Sequence, residues 1–312
     1  MLSSVNAQFA PRDQGESYLA IEEHSGKVMY ALNANAMRPV ASLTKVAAAI
    51  VVLDWAEITG TKLATRAVVP ASALALGGPN PMNLQAGEQV SLRDLLYSAL
   101  LGSDNVAAET LAHHVGSSML RAKGRYGDPV PEFVSEMNRL ARSLGMTRTA
   151  YQDPHGLGAG RRVSKSTAID QALLAMHSTK NEAFTFMVRQ PTRKVEVYGP
   201  TGVRSFNIGN TNKLLGKMGV VGLKTGTTNA AGQCYIGHAE KPNLVRKDAA
   251  GQTLITPRGM IVVVLGSRDR YTRAEQLLNN SWAQFDQWAA QGFPSTGARG
   301  EYLRLKANNQ GR

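Results

Sequence analysis

Cysteine is nearly absent: Cys234 is the only one in 312 residues. No intrachain disulfide can form, so the fold rests on its core. That suits a reducing compartment, or an exported bacterial protein held together by packing alone. Cys234 reads as a small buried hydrophobe in a strand rather than a nucleophile. Histidine is scarce too, with six residues and no H-E-x-x-H or other zinc spacing. His113 and His114 are neighbours on a helical stretch, about 100° apart, and cannot share a ligand face. No metal and no cofactor are expected.

No apolar run reaches 18 residues, which excludes a transmembrane helix of ordinary length. The longest, Val46 to Leu53, reads as a buried helix. The N-terminus lacks a basic region and an apolar core, so no complete signal peptide is visible. Val5-Asn6-Ala7 has the small-residue pattern of a cleavage site. Residues 1–16 are therefore expected to be an N-terminal extension carrying the remnant of a leader. Lys/Arg runs are also missing, although the net charge is +12. Scattered charge without a binding motif is weak support for nucleic acid. A solvated basic surface, an anionic wall polymer or a membrane surface accounts for it equally well through long-range attraction.

What the chain does hold is 43% hydrophobic residues, enough for one large domain or two subdomains sharing a site. Tyr18–Glu22 and Lys27–Leu32 flank His24-Ser25-Gly26, a hairpin signal. From about 60 to 205 the pattern is mostly helical. Ser91-Leu92-Arg93-Asp94 resembles a capping box with Asp in place of Glu. Its helix should end near Gly102, and the next covers Val106 to Val115. Phe133, Met137, Leu140 and Leu144 form an apolar face closed by Gly145. A turn-rich loop holds Asp153-Pro154-His155-Gly156, and Ser164 or Ser166 caps a helix through Met176. Strand-like runs return at Val220–Thr227, Gln233–Ala239 and Met260–Gly266, and a last helix covers Arg273 to Trp288. The tail from 293 to 312 has no apolar period and should be loose. The expected fold class is α+β: an antiparallel sheet built from both chain ends and flanked by helices. A mostly helical subdomain is inserted at 60–205, and the site lies in the crevice between the two parts.

Three triplets or near-triplets occur in order along this frame. Ser42-Leu43-Thr44-Lys45 puts Ser42 and Lys45 three apart on one helical face. A serine hydroxyl needs a base, and a lysine amine is one when neutral. Burial against Val46–Leu53 and a second cation, Lys224, both lower a lysine pKa from its usual value near 10.4. Ser42 at the helix start also faces free N–H groups and positive helix potential.

Ser103-Asp104-Asn105 lies on a helix connection. Ser103 can relay a proton toward a leaving amine, and Asn105 has donors and an acceptor for a substrate amide and Lys45 together. Helix capping is the competing role for all three, and for Asp104 the expected one. Lys224-Thr225-Gly226 lies on a strand, where Lys224 and Gly226 share a face. Gly226 lets a substrate backbone come close. Lys224 and Thr225 can hold a carboxylate, with Lys224 also supplying positive field and a proton path. Thr227 follows, and its N–H with that of Ser42 can form an oxyanion hole. Together these groups equip a site for covalent attack on an amide next to a carboxylate.

Ser-x-x-Lys, Ser-x-Asn and Lys-Thr-Gly in this order are the signature of penicillin-binding proteins and serine β-lactamases. The chain resembles the low-molecular-mass penicillin-binding proteins, the D-alanyl-D-alanine carboxypeptidases and related endopeptidases, from about Tyr18 to Trp288. Asn210-Thr211-Asn212-Lys213-Leu214-Leu215, Gly222-Leu223 before the Lys-Thr-Gly, Leu144-Gly145-Met146 and Pro154-His155-Gly156-Leu157 support the likeness. The resemblance implies a β-lactamase/transpeptidase-like fold in a catalytic domain at 17–292. It implies a peptidoglycan stem peptide as substrate, a Ser42 acyl-enzyme, β-lactam antibiotics as inhibitors, and a periplasmic or extracytoplasmic location. No nucleic-acid partner and no transmembrane anchor are expected. Two departures stand out. Asp104 replaces the usual glycine of the carboxypeptidases, and Leu111-Ala112-His113-His114 is similar to the endopeptidase branch. With its last helix near the end of the sequence, the chain is also expected to lack the extra β-domain and anchor helix of many members. A serine β-lactamase would need a Glu-x-x-Leu-Asn base, which Glu136-Met137-Asn138-Arg139-Leu140 does not match. An endopeptidase on cross-links and a non-catalytic wall-binding protein remain as alternatives.

Overall fold

The computed structural model describes residues 15–158, 162–247 and 250–305. The Val5-Asn6-Ala7 leader pattern and the tail beyond 305 lie outside the described residues.

In chain order, a hairpin of β1 (Ser17–Glu22) and β2 (Val28–Leu32) leads through the short β3 (Arg38–Pro39) into a single 3-10 turn at Ala41–Leu43 and then α1 (Thr44–Thr59). The middle of the chain contains β4 (Arg66–Val68), β5 (Gln89–Ser91), α2 (Leu92–Leu101), α3 (Asn105–Ala122) and α4 (Pro129–Ser143). Next come β6 (Lys165–Ser166), α5 (Ala168–Ser178), α6 (Glu182–Val188), β7 (Thr192–Gly199) and β8 (Gly202–Gly209). The chain closes with β9 (Val220–Thr228), β10 (Gly232–Lys247), β11 (Thr253–Ser267) and α7 (Arg270–Ala290).

The main sheet has the order β2-β1-β11-β10-β9, antiparallel throughout. It is assembled from both chain ends, as expected, with Ser17 opposite Leu265. Every residue of β1 is buried because both faces are covered. Strand alternation divides it: Tyr18 and Ala20 pack with Leu277, Trp282 and Phe285 of α7, whereas Leu19 and Ile21 join the larger core around α1. Helix α1 is buried from Thr44 through Leu53, and from Val46 to Leu53 it is apolar on all sides, as a central helix must be. Cys234 is fully buried on β10, in the role expected of it.

Three expectations need correction. The 60–205 segment is helical only in part: β4, β5, β7 and β8 form a second four-stranded sheet, whose pairing extends to Gly209. Val195 and Val197 alternate with Lys194 and Glu196, so β7 buries one face only. Helix α5 is capped by Thr167, which accepts from the Asp170 N–H at 3.0 Å, and not by Ser164 or Ser166. Those two hydroxyls instead bond the Gln152 N–H and the Gln171 side chain. Among the described residues, the part of the tail around Tyr302 is held against the first hairpin. Tyr302 bridges to Lys27, Leu303 N–H donates to Gly26, and Glu301 forms an ion pair with Lys27.

Candidate active site

Two strained turns bring the first two motifs together. Ala41 has φ 48 and Ser103 has φ 60, both in the left-handed region that non-glycine residues avoid. Such strain persists only where the surroundings hold it, and it concentrates at functional sites. Ser42 sits in the 3-10 turn, half-buried, two residues ahead of where α1 begins. Asp104 caps α3, accepting from the Ala107 N–H at 2.9 Å and from Ser98 Oγ at 2.7 Å. That is the capping role anticipated for it, and it leaves Asn105 as the first residue of α3, pointing at Lys45.

Lys45 is 1% exposed and its Nζ has three acceptors. They are Ser42 Oγ at 2.9 Å, Asn105 Oδ1 at 2.7 Å and the His155 carbonyl at 2.7 Å. An ammonium donates to all three; a neutral amine donates to two and turns its lone pair to the serine hydroxyl. Burial lowers the Lys45 pKa to about 7, against the pull of Asp104 and Asp153, so a large neutral fraction exists near neutrality. Asn105 is fixed in turn by donating to the Gly77 carbonyl at 2.8 Å.

Strand β9 forms the opposite wall and is an edge of the main sheet. Lys224 is buried and donates to the Thr225 carbonyl at 3.0 Å. Burial first, then Lys45 and Arg270, hold its pKa well below the ordinary lysine value. A Cβ at Gly226 would stand 2.9 Å from Ser42 N and 3.2 Å from Leu43 N. Glycine here keeps the helix-start amides open on the side facing β9. Thr225 Oγ1 lies 2.8 Å from Thr211 Oγ1, and Thr227 Oγ1 accepts from Arg270.

Several participants were not singled out as site residues from sequence. The His155 carbonyl holds Lys45 because the 153–158 turn is pressed against the serine. Asp153 clamps that turn by accepting from the His155 and Gly158 N–H groups. A Cβ at Gly156, φ 88, would overlap the Ala41 carbonyl, so only glycine lets the turn close. Arg270 fastens the end of β9, donating to the Gly226 carbonyl at 2.7 Å and the Cys234 carbonyl at 2.9 Å. Backbone acceptors and an arginine distant in sequence leave no local pattern; only the turn formers around Asp153 were a usable signal. Glu136 lies on α4 and pairs with Arg139, and His114 packs edge-on against Trp55. Among the described residues no group of three or more His, Cys, Asp or Glu could hold a metal ion.

Known proteins with this arrangement are numerous. The family model described as D-alanyl-D-alanine carboxypeptidase matches residues 4–246. A D-alanyl-D-alanine endopeptidase of Pseudomonas aeruginosa is 32% identical over 76% of this chain and 72% of its own length. The carboxypeptidase DacC of Escherichia coli is 31% identical over 89% of this chain, and DacF of Bacillus subtilis 26% identical over 88%. The alignments span 63% of the length of each of those two. The Streptomyces K15 DD-transpeptidase superposes with a TM-score of 0.74 at 26% identity, over 88% of this chain and 99% of that one. Penicillin-binding protein D2 of Listeria monocytogenes, solved in its ampicillin-bound form, gives 0.69 at 25% identity over the same 88% of this chain and 100% of its own. With a match over well more than half its length, the chain belongs to the D-alanyl-D-alanine carboxypeptidase family.

Proposed function

We propose that this protein is a serine D-alanyl-D-alanine carboxypeptidase acting on peptidoglycan stem peptides outside the cytoplasm. The observation that carries the reading is the three-way hold on a buried Lys45, with Ser42 Oγ as one of its partners at 2.9 Å. Ser42 is the nucleophile and Lys45 its base. As Oγ bonds to the carbonyl carbon between the two D-alanines, its proton passes to the Lys45 amine. The N–H groups of Ser42 and Thr227 receive the developing oxyanion. The carbon–nitrogen bond then breaks, and the leaving amine takes a proton relayed through Ser103. Water hydrolyses the Ser42 ester, again with Lys45 as base, and restores the hydroxyl. Asn105 holds both Lys45 and the substrate amide. Lys224, Thr225 and Gly226 receive the terminal carboxylate and the substrate backbone along the β9 edge. Residues 17–292 form the catalytic unit, and β-lactams acylate the same serine. No helix among the described residues is long and apolar enough to cross a membrane.

Intact mass after incubation with benzylpenicillin tests this on the native protein and on Ser42→Ala. A lasting single adduct on the native chain only is the expected result. Drug hydrolysis without an adduct would replace the reading with a β-lactamase. Neither adduct nor hydrolysis would leave a wall-binding protein without chemistry. The Pseudomonas relative's name favours a second reading, cleavage of cross-links between stem peptides. Release of monomers from dimeric muropeptides, measured against release of terminal D-alanine, decides between the two.

A further inference from the structure

Between β8 and β9 the chain passes through Asn210-Thr211-Asn212, and both asparagines are staples. Asn210 Nδ2 donates to the Val188 and Gln190 carbonyls at 3.0 and 3.1 Å, and its Oδ1 accepts from the Asn212 N–H at 2.9 Å. Asn212 is buried; its Nδ2 donates to the Gly222 carbonyl of β9 at 3.2 Å, and its Oδ1 accepts from the Leu214 N–H at 3.1 Å. The main chain of Thr211 is pinned from two further sides. Its N–H donates at 3.0 Å to the carbonyl of Leu101, two residues ahead of Ser103. Its carbonyl accepts at 2.8 Å from the hydroxyl of Tyr271, the neighbour of Arg270 on α7. The walls that carry Ser103 and Lys224 therefore meet at one residue, and its side chain faces Thr225, with the two Oγ1 atoms 2.8 Å apart. Thr225 is 6% exposed, whereas Thr211 lies on the exposed rim.

We infer that Thr211 is a positioning residue for the carboxylate end of the substrate: its hydroxyl donates to Thr225 Oγ1 and so turns the Thr225 hydroxyl proton toward the crevice. This rests on the proposed role of Thr225 in receiving that carboxylate. Each hydroxyl has one proton, and a carboxylate only accepts. At 2.8 Å one threonine donates to the other. If Thr225 were the donor, its proton would be spent on Thr211 and it would present lone pairs to a negative charge. With Thr211 as donor, Thr225 is satisfied as an acceptor and free to donate, and the two bonds in series strengthen each other. An arriving carboxylate selects this second arrangement. It needs only hydroxyl rotation, because the staples hold the backbone of Thr211 in place. A bond to a charged acceptor gains more from this chain than one to a neutral amide oxygen, so the pair favours a free carboxylate end.

Thr211→Val keeps the shape and removes the hydroxyl, whereas Thr211→Ser keeps the hydroxyl. Steady-state release of D-alanine from a stem pentapeptide should show KM raised about two- to tenfold in Thr211→Val with kcat little changed, and a native KM in Thr211→Ser. Calorimetric binding then compares an N-acylated D-alanyl-D-alanine peptide with the same peptide ending in a carboxamide. The preference for the free carboxylate should shrink in Thr211→Val and persist in Thr211→Ser. If valine distorts the segment, Thr211→Ala takes its place in both measurements. An unchanged KM without the hydroxyl would overturn the assignment. So would an equal loss in Thr211→Ser, or an equal loss of affinity for the carboxylate and carboxamide peptides, since each would mark a role in packing alone. Absence of D-alanine release by the native protein would instead count against the proposed reaction, while the two binding constants would still decide the role of Thr211.

Discussion

Gly226 stands against the backbone of Ser42: a Cβ added to it would come within 2.9 Å of the serine nitrogen. The strand that carries Lys224 and the turn that carries Ser42 therefore approach too closely for a side chain between them. Gly226→Ala should push β9 away from Ser42 and cover its N–H. Loss of one oxyanion donor typically costs about 10²–10³ in rate. Stopped-flow acylation by a chromogenic β-lactam should show a loss of that order, with the circular dichroism spectrum unchanged.

Lys45 makes a different kind of prediction. Its pKa near 7 requires acylation to fall about tenfold per pH unit below that value, because only the neutral amine can accept the Ser42 proton. Lys45→Met, which keeps the bulk and removes the amine, should lower acylation by about 10²–10⁴. A variant that acylates at a near-native rate would exclude Lys45 as the base.

The same residue carries a stability signature. In the folded chain Lys45 binds its proton less tightly than in the unfolded one, where the ordinary value of 10.5 applies. Its cost to stability is therefore full below about pH 7 and disappears as pH rises toward 10.5. Lys45→Met should melt several degrees higher than the native protein at pH 6.5, and the gap should narrow by pH 9.5. Calorimetry at the two pH values checks the sign.

Asp104 is the junction between fold and site. Removing its carboxylate takes the cap from α3 and leaves Ser98 Oγ without its buried acceptor. Asp104→Ala should cost about 1–3 kcal/mol in urea denaturation. Asp104→Asn can still accept the Ala107 N–H and should recover most of that.

Arg270 is expected to act on binding. It fastens the last turn of β9 through the Gly226 carbonyl and Thr227. Arg270→Gln should raise KM for a stem pentapeptide by about tenfold or more while changing kcat less, since the substrate would dock on a looser edge. Steady-state release of D-alanine separates the two constants.

Much of the site could be seen in the sequence because its chemistry sits in contiguous triplets, and hairpin, buried helix and edge strand each announce themselves by period. Asp104 was legible as a cap for the same reason: capping is a local act. The second sheet was harder. Its strands β4 and β5 are three residues long, too short to establish an alternation, and β5 joins them to β7 from over a hundred residues away. Val195 and Val197 did alternate with charge, and Pro200 with Gly202 marked the turn, so that hairpin was open to reading. The His155 carbonyl was not, because a main-chain acceptor has no residue type. The attachment of residues 301–303 was hidden for a related reason. It uses backbone bonds of Val28, Gly26 and Leu303 along with one ion pair, and none of these depends on an apolar period.

The main sheet orders its strands so that β1 from the start of the chain lies beside β11 from near the end. During synthesis β1 has no partner but its own hairpin until residue 265 has emerged, and Ser42 faces no Gly226 until β9 exists. Contacts of such long range form late and slowly. The helices around α3 and α4 can assemble earlier, since their partners are close in sequence. A nascent or truncated chain that stops before β9 thus carries Ser42 and Lys45 without the wall that faces them in the folded protein.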